Sequence, residues 1–175
     1  MEGKPQDERY LEAAAEYGAA LHRLAIAYEA DPDKRRDLLQ EVHLSLWRSL
    51  ATFDGRCSLR TWVYRVAHNA ATSYVISQRR SRASAWIALE EVAAVADPAE
   101  GEQAAGRRHS VDRLLALIQQ LKPLDRQVIL SYLEGLDAAA TAEITGISPG
   151  NVATKIHRIK NLLTQRFHEG VRDAE

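Results

Sequence analysis

Apolar side chains recur in steps of three and four along this 175-residue chain, and that spacing predicts a fold built from helices. The first stripe consists of Tyr10, Ala14, Tyr17, Leu21, Leu24 and Tyr28. The pair Asp31-Pro32 ends this helix, because a proline ring lacks an amide proton and clashes with the preceding turn. Only 5 prolines and 9 glycines occur in a sequence rich in alanine and leucine. The expected fold class is therefore all-α, with two small helical domains joined by a flexible linker.

The first predicted domain covers residues 8–82 and contains two further helices. The second helix occupies about residues 33–51, and its predicted buried positions are Leu39, Val42, Leu46 and Ser49 or Leu50. The segment "TFDGRCS" is a loop in which Gly55 supplies the turn. Ser58 can cap a third helix, which ends at the basic segment "QRRSR". The apolar stripe of this third helix consists of Leu59, Trp62, Val63, Val66, Ala70 and Tyr74.

Residues 83–109 are predicted to be the linker between the domains. Pro98, two glycines and many small or acidic residues leave this segment little to pack against a core. Its four larger apolar residues could form a short docked helix: Trp86, Ile87, Leu89 and Val92. Fully extended, the 27 residues would reach about 90 Å.

A second domain is predicted over residues 110–170. The apolar positions of its first two helices are Val111, Leu114, Leu115, Ile118, Leu124, Val128, Tyr132 and Leu133. Pro123 separates these two helices, and Gly135 closes the second in a left-handed conformation. Asp137 then caps a short helix that ends at the turn Thr145-Gly146-Ile147.

The last helix begins at a Ser148-Pro149 signal, in which serine caps the helix and proline takes its first position. Its inward positions are Val152, Ile156, Ile159 and Leu163, and its outward positions are Asn151, Thr154, Lys155 and Arg158. A short helix, a glycine turn and a polar last helix are the construction of a helix-turn-helix. Asn, Thr and Arg side chains can contact base edges while Lys contacts phosphates, so this face predicts DNA binding.

The charge of the chain is spread unevenly, although its formal net charge is only −1. Residues 34–82 carry ten basic and three acidic side chains, and residues 150–168 carry four basic side chains and no acid. Acidic segments separate these two regions. A polyanion responds to the charge of the local segment, so two basic faces can serve a nearly neutral protein.

Several classes of protein are disfavoured by the sequence. Cys57 is the sole cysteine, which excludes an intramolecular disulfide and is typical of a reducing cytoplasm. The first residues, "MEGKPQDERY", resemble no secretory signal, and no apolar run approaches the roughly 18 residues of a membrane span. The six histidines lack metal-ligand spacing, and no glycine-rich phosphate loop or nucleophile cluster is present. We therefore expect a cytoplasmic protein that is not an enzyme, needs no cofactor and does not insert into membranes.

Two surfaces of the first domain could serve binding or could be merely solvated. On the second helix, a face away from the buried stripe consists of Asp37, Glu41, Leu44 and Arg48. Leu44 would be the apolar contact if this face docks on a protein. On the third helix, the predicted exposed side consists of Tyr64, Arg65, His68, Asn69 and Thr72, with Arg56 and Arg60 nearby. A basic, partly aromatic surface of this kind suits a DNA backbone and unstacked bases.

Two long segments resemble a known family. The segment "DLLQEVHLSLWRSLATFDGRCSLRTWVYRVAHNAATSYVISQRRSR" resembles region 2 of bacterial sigma factors of the extracytoplasmic-function (ECF) group. The segment "LKPLDRQVILSYLEGLDAAATAEITGISPGNVATKIHRIKNLL" resembles region 4 of the same proteins. Both segments occur in the family's order. The resemblance implies two DNA-binding domains in a dissociable subunit of RNA polymerase, acting on promoter DNA and controlled by an anti-sigma factor.

The resemblance also implies roles for individual positions. Docking on the clamp helices of the large polymerase subunit would involve Asp37, Leu38, Gln40, Glu41, Leu44 and Arg48. Opening and holding the −10 element would involve Phe53, Asp54, Arg56, Ser58, Arg60, Tyr64, Arg65, His68, Asn69 and Thr72. Reading the −35 element as duplex would involve Ser148, Asn151, Thr154, Lys155 and Arg158.

Two alternative functions remain open at this stage. A conventional helix-turn-helix regulator would act as a dimer on a palindrome, but no obvious dimerisation helix is present and residues 34–82 would have no role. A sigma-like mimic that occupies an anti-sigma factor could lose its basic recognition face, which this chain retains.

Overall fold

The computed structural model describes residues 5–85 and 102–172, with side chains at residues 5–80 and 106–168. Within these residues the chain forms seven α-helices and no strand. They are α1 (Gln6–Tyr28), α2 (Pro32–Leu50), α3 (Leu59–Ala85), α4 (Glu102–Gln119), α5 (Pro123–Leu133), α6 (Ala138–Thr145) and α7 (Pro149–Arg172). The prediction of an all-α fold is confirmed. No described helix is long and apolar enough to cross a membrane.

Helices α1, α2 and α3 pack on one another as a three-helix bundle. The Asp31 side chain begins α2 by accepting hydrogen bonds from the amides of Asp33 (2.9 Å) and Lys34 (3.2 Å). The buried stripe of α2 is Leu38, Val42, Leu46 and Leu50, each no more than 1% exposed. Leu39, the predicted first member of this stripe, is only partly buried.

The ends of α3 and α4 differ from the prediction. Helix α3 continues to Ala85 and α4 begins at Glu102, so both enter the segment predicted to be the linker, residues 83–109. The linker was predicted from its small and acidic residues, but the alanine, arginine and glutamine at its two ends have high helix propensity. Their propensity extends both helices into the segment. The short helix predicted around Trp86 lies outside the described residues.

Helices α4 to α7 form the second bundle, and its helix-turn-helix signals lie where they were predicted. The Asp137 carboxylate caps α6 by accepting from the Ala140 amide at 2.7 Å. Gly146 ends α6 with a φ of 77° in the left-handed region, which a side chain would make strained. The Ser148 hydroxyl accepts from the Asn151 amide at 3.3 Å and caps α7.

The two bundles pack directly against each other. Helix α3 contacts α5 and α6, and α1 contacts α4, so most buried apolar side chains of the two bundles form one continuous cluster. Two glutamines bond across the boundary: Gln119 donates to the Ile26 carbonyl (3.1 Å) and Gln127 to the Thr72 hydroxyl (3.1 Å). The second bundle thus covers one side of α3, and we call this arrangement the closed form of the chain.

Candidate functional site

The predicted docking face of α2 is exposed, with one exception. Asp37, Gln40, Glu41, Leu44 and Arg48 are exposed, and Leu44 presents 40% of its surface. Leu38 was predicted to belong to this face, but it is 0% exposed because it lies on the stripe that packs into the bundle. It can only support the docking face from beneath.

Trp47 is a member of this face that the sequence interpretation missed. It is 39% exposed and lies three residues after Leu44, so both apolar side chains share one side of α2. Its indole nitrogen donates to the Asp7 carboxylate at 2.7 Å, which fixes the ring against α1. The i, i+3 spacing from Leu44 was the available signal.

The loop before α3 uses some of its predicted DNA-binding residues for its own structure. The Phe53 ring packs on Trp62 with centroids 5.3 Å apart, and the Ser58 hydroxyl accepts from the Thr61 amide (3.0 Å) to cap α3. Asp54 and Arg56 form an ion pair at 2.9 Å and are exposed. Phe53 and Ser58 therefore shape the loop, while the exposed pair remains accessible.

The predicted exposed side of α3 is divided by the second bundle. Asn69 and Arg60 are exposed, while Arg65 and Thr72 are half-buried. Tyr64 and His68 were predicted to be exposed, but they are 2% and 0% exposed because they face the second bundle. Between Tyr64 and Thr72, Asn69 is therefore the position of α3 that remains exposed to solvent.

Glu134, which follows α5, is the centre of the contact on α3. Its carboxylate accepts two hydrogen bonds from Arg23, both 2.7 Å long, and one from the Tyr64 hydroxyl at 3.0 Å. The Arg60 guanidinium donates to the Glu134 backbone carbonyl. The hydrogen bond from Arg23 lowers the pKa of Glu134, so this carboxylate is ionised. Arg23 and Glu134 were absent from the predicted site, because no local pattern relates α1 to α5.

His68 lies beneath this contact as a neutral imidazole. Its Nδ1 shares a 3.0 Å hydrogen bond with the Tyr28 hydroxyl, and its Nε2 has no partner among the described residues. Burial lowers the pKa of His68 to about 3, because desolvation disfavours the imidazolium. His68 therefore stays uncharged in the closed structure at neutral pH.

We expect acid to destabilise the closed structure through His68. In the unfolded chain the imidazole takes a proton near its ordinary pKa of about 6.5, whereas the buried imidazole does not. The unfolded state then binds more protons, so the free energy of unfolding should fall by up to about 1.4 kcal/mol per pH unit below about pH 6.5. The groups facing His68 do not oppose this. Burial raises the pKa of Tyr28 and Tyr64 to about 12, and Glu134 stays ionised until lower pH.

Urea unfolding at about pH 7 and about pH 5 would measure this effect. His68→Gln should reduce the difference between the two pH values, leaving the part contributed by groups such as His43, whose pKa burial also lowers. His22→Gln, at an exposed position of α1, should leave the difference intact. An unchanged pH dependence in His68→Gln would contradict the assignment.

The outward face of α7 carries the predicted duplex-reading residues. Asn151, Thr154 and Arg158 are exposed, and Ser148 caps the helix beside them. Lys155 is more enclosed, with 25% of its side chain exposed, and donates to the Asp125 carboxylate at 2.7 Å. Asp125 also pairs with Arg158 at 3.2 Å, but the Arg158 side chain remains 65% exposed. Arg158 is thus available to a ligand, while Lys155 is held against α5.

No group of three or more His, Cys, Asp or Glu residues in the described parts of the chain could hold a metal ion. A three-helix bundle with an exposed polar face, followed by a helix-turn-helix, is an architecture typical of helical DNA-binding proteins. Two family descriptions match the chain in that order: Sigma-70 region 2 over residues 14–81 and Sigma-70, region 4 over residues 112–163. The chain belongs to the ECF group of the sigma-70 family, and it is an alternative sigma factor that directs transcription.

Individual relatives agree with this assignment. The RNA polymerase sigma factor CarQ of Myxococcus xanthus is 34% identical over 124 residues, which are 70% of this chain and 68% of CarQ. The "Probable RNA polymerase sigma factor RfaY" of Xanthomonas campestris is 27% identical over 82% of this chain, which spans only 38% of that protein. The structure of the sigma factor RpoE in complex with the anti-sigma factor NepR from Bartonella quintana shares the fold. Its TM-score is 0.69 and its identity 20%, over 91% of this chain and 96% of that one.

Proposed function

We propose that this chain binds core RNA polymerase through the exposed face of α2 and directs it to promoters with defined −10 and −35 elements. The observation that carries the proposal is the outward face of α7, where exposed Asn151, Thr154 and Arg158 follow a capped helix-turn-helix. Amide, hydroxyl and guanidinium groups on one helix face are the donors and acceptors that read base edges in the major groove. The α2 face then supplies the contact that delivers α7 to a promoter.

Binding at the −10 element requires the closed chain to open. Tyr64 and His68 lie under the second bundle, so a DNA strand can reach them only after α5 moves away from α3. Polymerase can drive this change if it binds the open form more tightly, since a ligand shifts an equilibrium by its differential affinity. We infer that the closed form belongs to the free protein and the open form to the holoenzyme.

Strand opening in this proposal depends on binding energy rather than on ATP. Stacking of one unpaired base on an aromatic side chain contributes about 1–3 kcal/mol. Opening duplex DNA costs about 1.4 kcal/mol for each base-pair step, and a promoter bubble contains several steps. The small first domain cannot supply that sum alone, so contacts from polymerase must supply the rest.

Run-off transcription combined with permanganate footprinting of unpaired thymines tests the proposal. The free protein should leave a promoter duplex closed, and the holoenzyme should open and transcribe it without ATP hydrolysis. Arg65→Ala with Asn69→Ala should reduce opening but spare core binding, while Arg36→Ala with Gln120→Ala removes the same two groups elsewhere as a control. Specific duplex binding without core enzyme would favour a stand-alone regulator. Failure of the holoenzyme to transcribe would favour a sigma-like mimic.

Recognition of the −35 element gives a second test. Arg158→Ala should lose about 1–3 kcal/mol of discrimination between native and scrambled −35 duplexes, if its exposed guanidinium contacts one base bidentately. Lys155→Ala should weaken binding to both duplexes alike, because the ammonium group, once it exchanges Asp125 for a phosphate, contacts the backbone without reading sequence. Fluorescence anisotropy of the holoenzyme on each duplex, at several salt concentrations, measures both effects. Arg166→Ala, at an exposed position near the end of α7, is the matched control.

Partners and location follow from the same proposal. Core RNA polymerase and promoter DNA would be the binding partners, and both place the protein in the cytoplasm. The RpoE structure contains an anti-sigma factor, and we propose that a protein of that kind controls this chain as well. Co-purification of the chain with such a partner, lost when core enzyme is added in excess, is the expected observation.

A further inference from the structure

Three hydrogen-bond donors from the first bundle converge on one acidic residue of the second. Arg23 extends from α1, and Arg60 and Tyr64 extend from successive turns of α3. Arg23 binds both carboxylate oxygens of Glu134, Tyr64 binds one of them, and Arg60 binds the carbonyl of the same residue. The three donors form an anion-binding pocket, and the Glu134 carboxylate is the anion that it binds in this structure.

The donors match a phosphate group as well as a carboxylate. A guanidinium that donates two parallel hydrogen bonds recognises either anion, and a phenol adds a third donor. The guanidinium groups of Arg23 and Arg60 and the phenol of Tyr64 all bind Glu134, whose carboxylate is the negative charge bound by Arg23 and Tyr64. Without Glu134 this group of donors therefore keeps two positive charges. A site of this kind gains affinity for a polyanion when its own acid leaves.

The position of Glu134 makes such an exchange possible. Glu134 belongs to the second bundle, whereas all three donors belong to the first, so separating the bundles empties the pocket. The Arg23 side chain is already 58% exposed, which leaves a route for another anion to approach. Arg60 and Tyr64 are also among the residues for which −10 binding is proposed.

We propose that Arg23, Arg60 and Tyr64 form a binding site for a phosphate of the promoter DNA backbone, which Glu134 occupies while the chain is closed. The inference rests on the proposed function and extends it in two respects. It adds Arg23 to the DNA-binding surface, and it makes Glu134 an acidic latch that competes with DNA. Closure and DNA binding then exclude each other at this site.

The exchange predicts that removing the charge of Glu134 strengthens DNA binding by the free chain. If DNA binds only the open form, its apparent affinity is the intrinsic affinity multiplied by the fraction of protein that is open. Weakening the contact made by Glu134 raises that fraction. We expect Glu134→Gln to raise the affinity for a mixed-sequence single-stranded oligodeoxynucleotide by about tenfold. The radius of gyration from small-angle X-ray scattering should increase at the same time. Glu8→Gln, at an exposed position of α1, should change neither quantity.

A second variant tests the phosphate site itself. In the Glu134→Gln background, Arg23→Gln should lower oligonucleotide affinity by about threefold to tenfold and reduce the salt slope by about one. Arg107→Gln in that background, at an exposed position of α4, is the charge-matched control. Circular dichroism and the urea midpoint of each variant establish that it is folded. Arg23→Gln without effect on affinity or on the salt slope would overturn the phosphate site.

Wild-type affinity and an unchanged radius in Glu134→Gln would overturn the latch. These failures differ from a failure of the proposed function, which is measured by run-off transcription with the wild-type holoenzyme. Active wild-type holoenzyme combined with an inert Glu134→Gln substitution would reject the latch and leave the proposed function intact. Inactive wild-type holoenzyme would reject the proposed function whatever the oligonucleotide affinities are.

Discussion

Glu41→Arg should reduce binding to core RNA polymerase by about a hundredfold, because it reverses one charge in the middle of the exposed face of α2. Loss of a charged partner that becomes desolvated in an interface typically costs about 2–5 kcal/mol. Leu44 and Trp47 lie on the same helix and would add apolar contact on one side of this charge. Such burial strengthens the effect of a reversal, because water then screens the charges less.

Folding should be nearly unaffected by the same substitution. Glu41 is exposed, and an exchange at an exposed site usually changes the free energy of unfolding by less than about 0.5 kcal/mol. Pull-down of core enzyme and urea unfolding should be measured on the same preparation. Asp112→Arg reverses a charge at an exposed position of α4 and is the control. Undiminished pull-down by folded Glu41→Arg would refute the docking role of α2.

Arg126→Met should lower the free energy of unfolding by about 3–5 kcal/mol. The guanidinium is 3% exposed and donates to the carbonyls of Ile118 (3.3 Å), Gln119 and Leu121 (3.3 Å), which end α4 and form the turn to α5. Burial lowers the pKa of Arg126, yet a guanidinium remains a cation at neutral pH. Methionine fills a similar space but leaves the Gln119 and Leu121 carbonyls without this donor, while the Ile118 carbonyl keeps only the Leu121 amide (3.1 Å).

The effect of Arg126→Met should reach the first bundle as well. The guanidinium lies 5.1 Å from the ring centroid of Tyr28, so one cation joins the end of α4 to the last turn of α1. Urea unfolding measures the total loss, and Arg166→Met, at an exposed arginine, should cost less than about 0.5 kcal/mol. A loss below about 1 kcal/mol for Arg126→Met would mean that other groups satisfy the carbonyls.

The helices and their caps were predictable because each depends on residues close together in sequence. Asp137 accepts from an amide three residues away, Ser148 does the same, and Gly146 needs only its own backbone conformation. The stripe of α2 was placed less accurately, because Leu38 and Leu39 are adjacent leucines only about 100° apart on the helix. Leu38, the one nearer the stripe of Val42 and Leu46, is the buried one.

The closed arrangement could not be predicted from periodicity. Tyr64 and His68 lie off the apolar stripe of α3, and a polar position covered by another bundle has the same local pattern as a solvated one. The partner of Tyr64 is Glu134, 70 residues away, and the partner of His68 is Tyr28, 40 residues away. For the same reason no local signal identified Arg23 or Asp125. The roles assigned to the site residues in binding polymerase and DNA stay predictions.

The continuous core has a consequence for dividing the molecule into fragments. Ile118 and Val128 of the second bundle belong to the same buried cluster as Leu24 and Ala71 of the first. Cutting the chain between α3 and α4 would therefore uncover an apolar surface on each half, in addition to separating two functional modules. Either half expressed alone would be prone to self-association, because contiguous apolar patches of that kind adhere to one another. Measurements of intrinsic DNA affinity are therefore better made on the intact chain, opened by substitution at its contact residues, than on its halves.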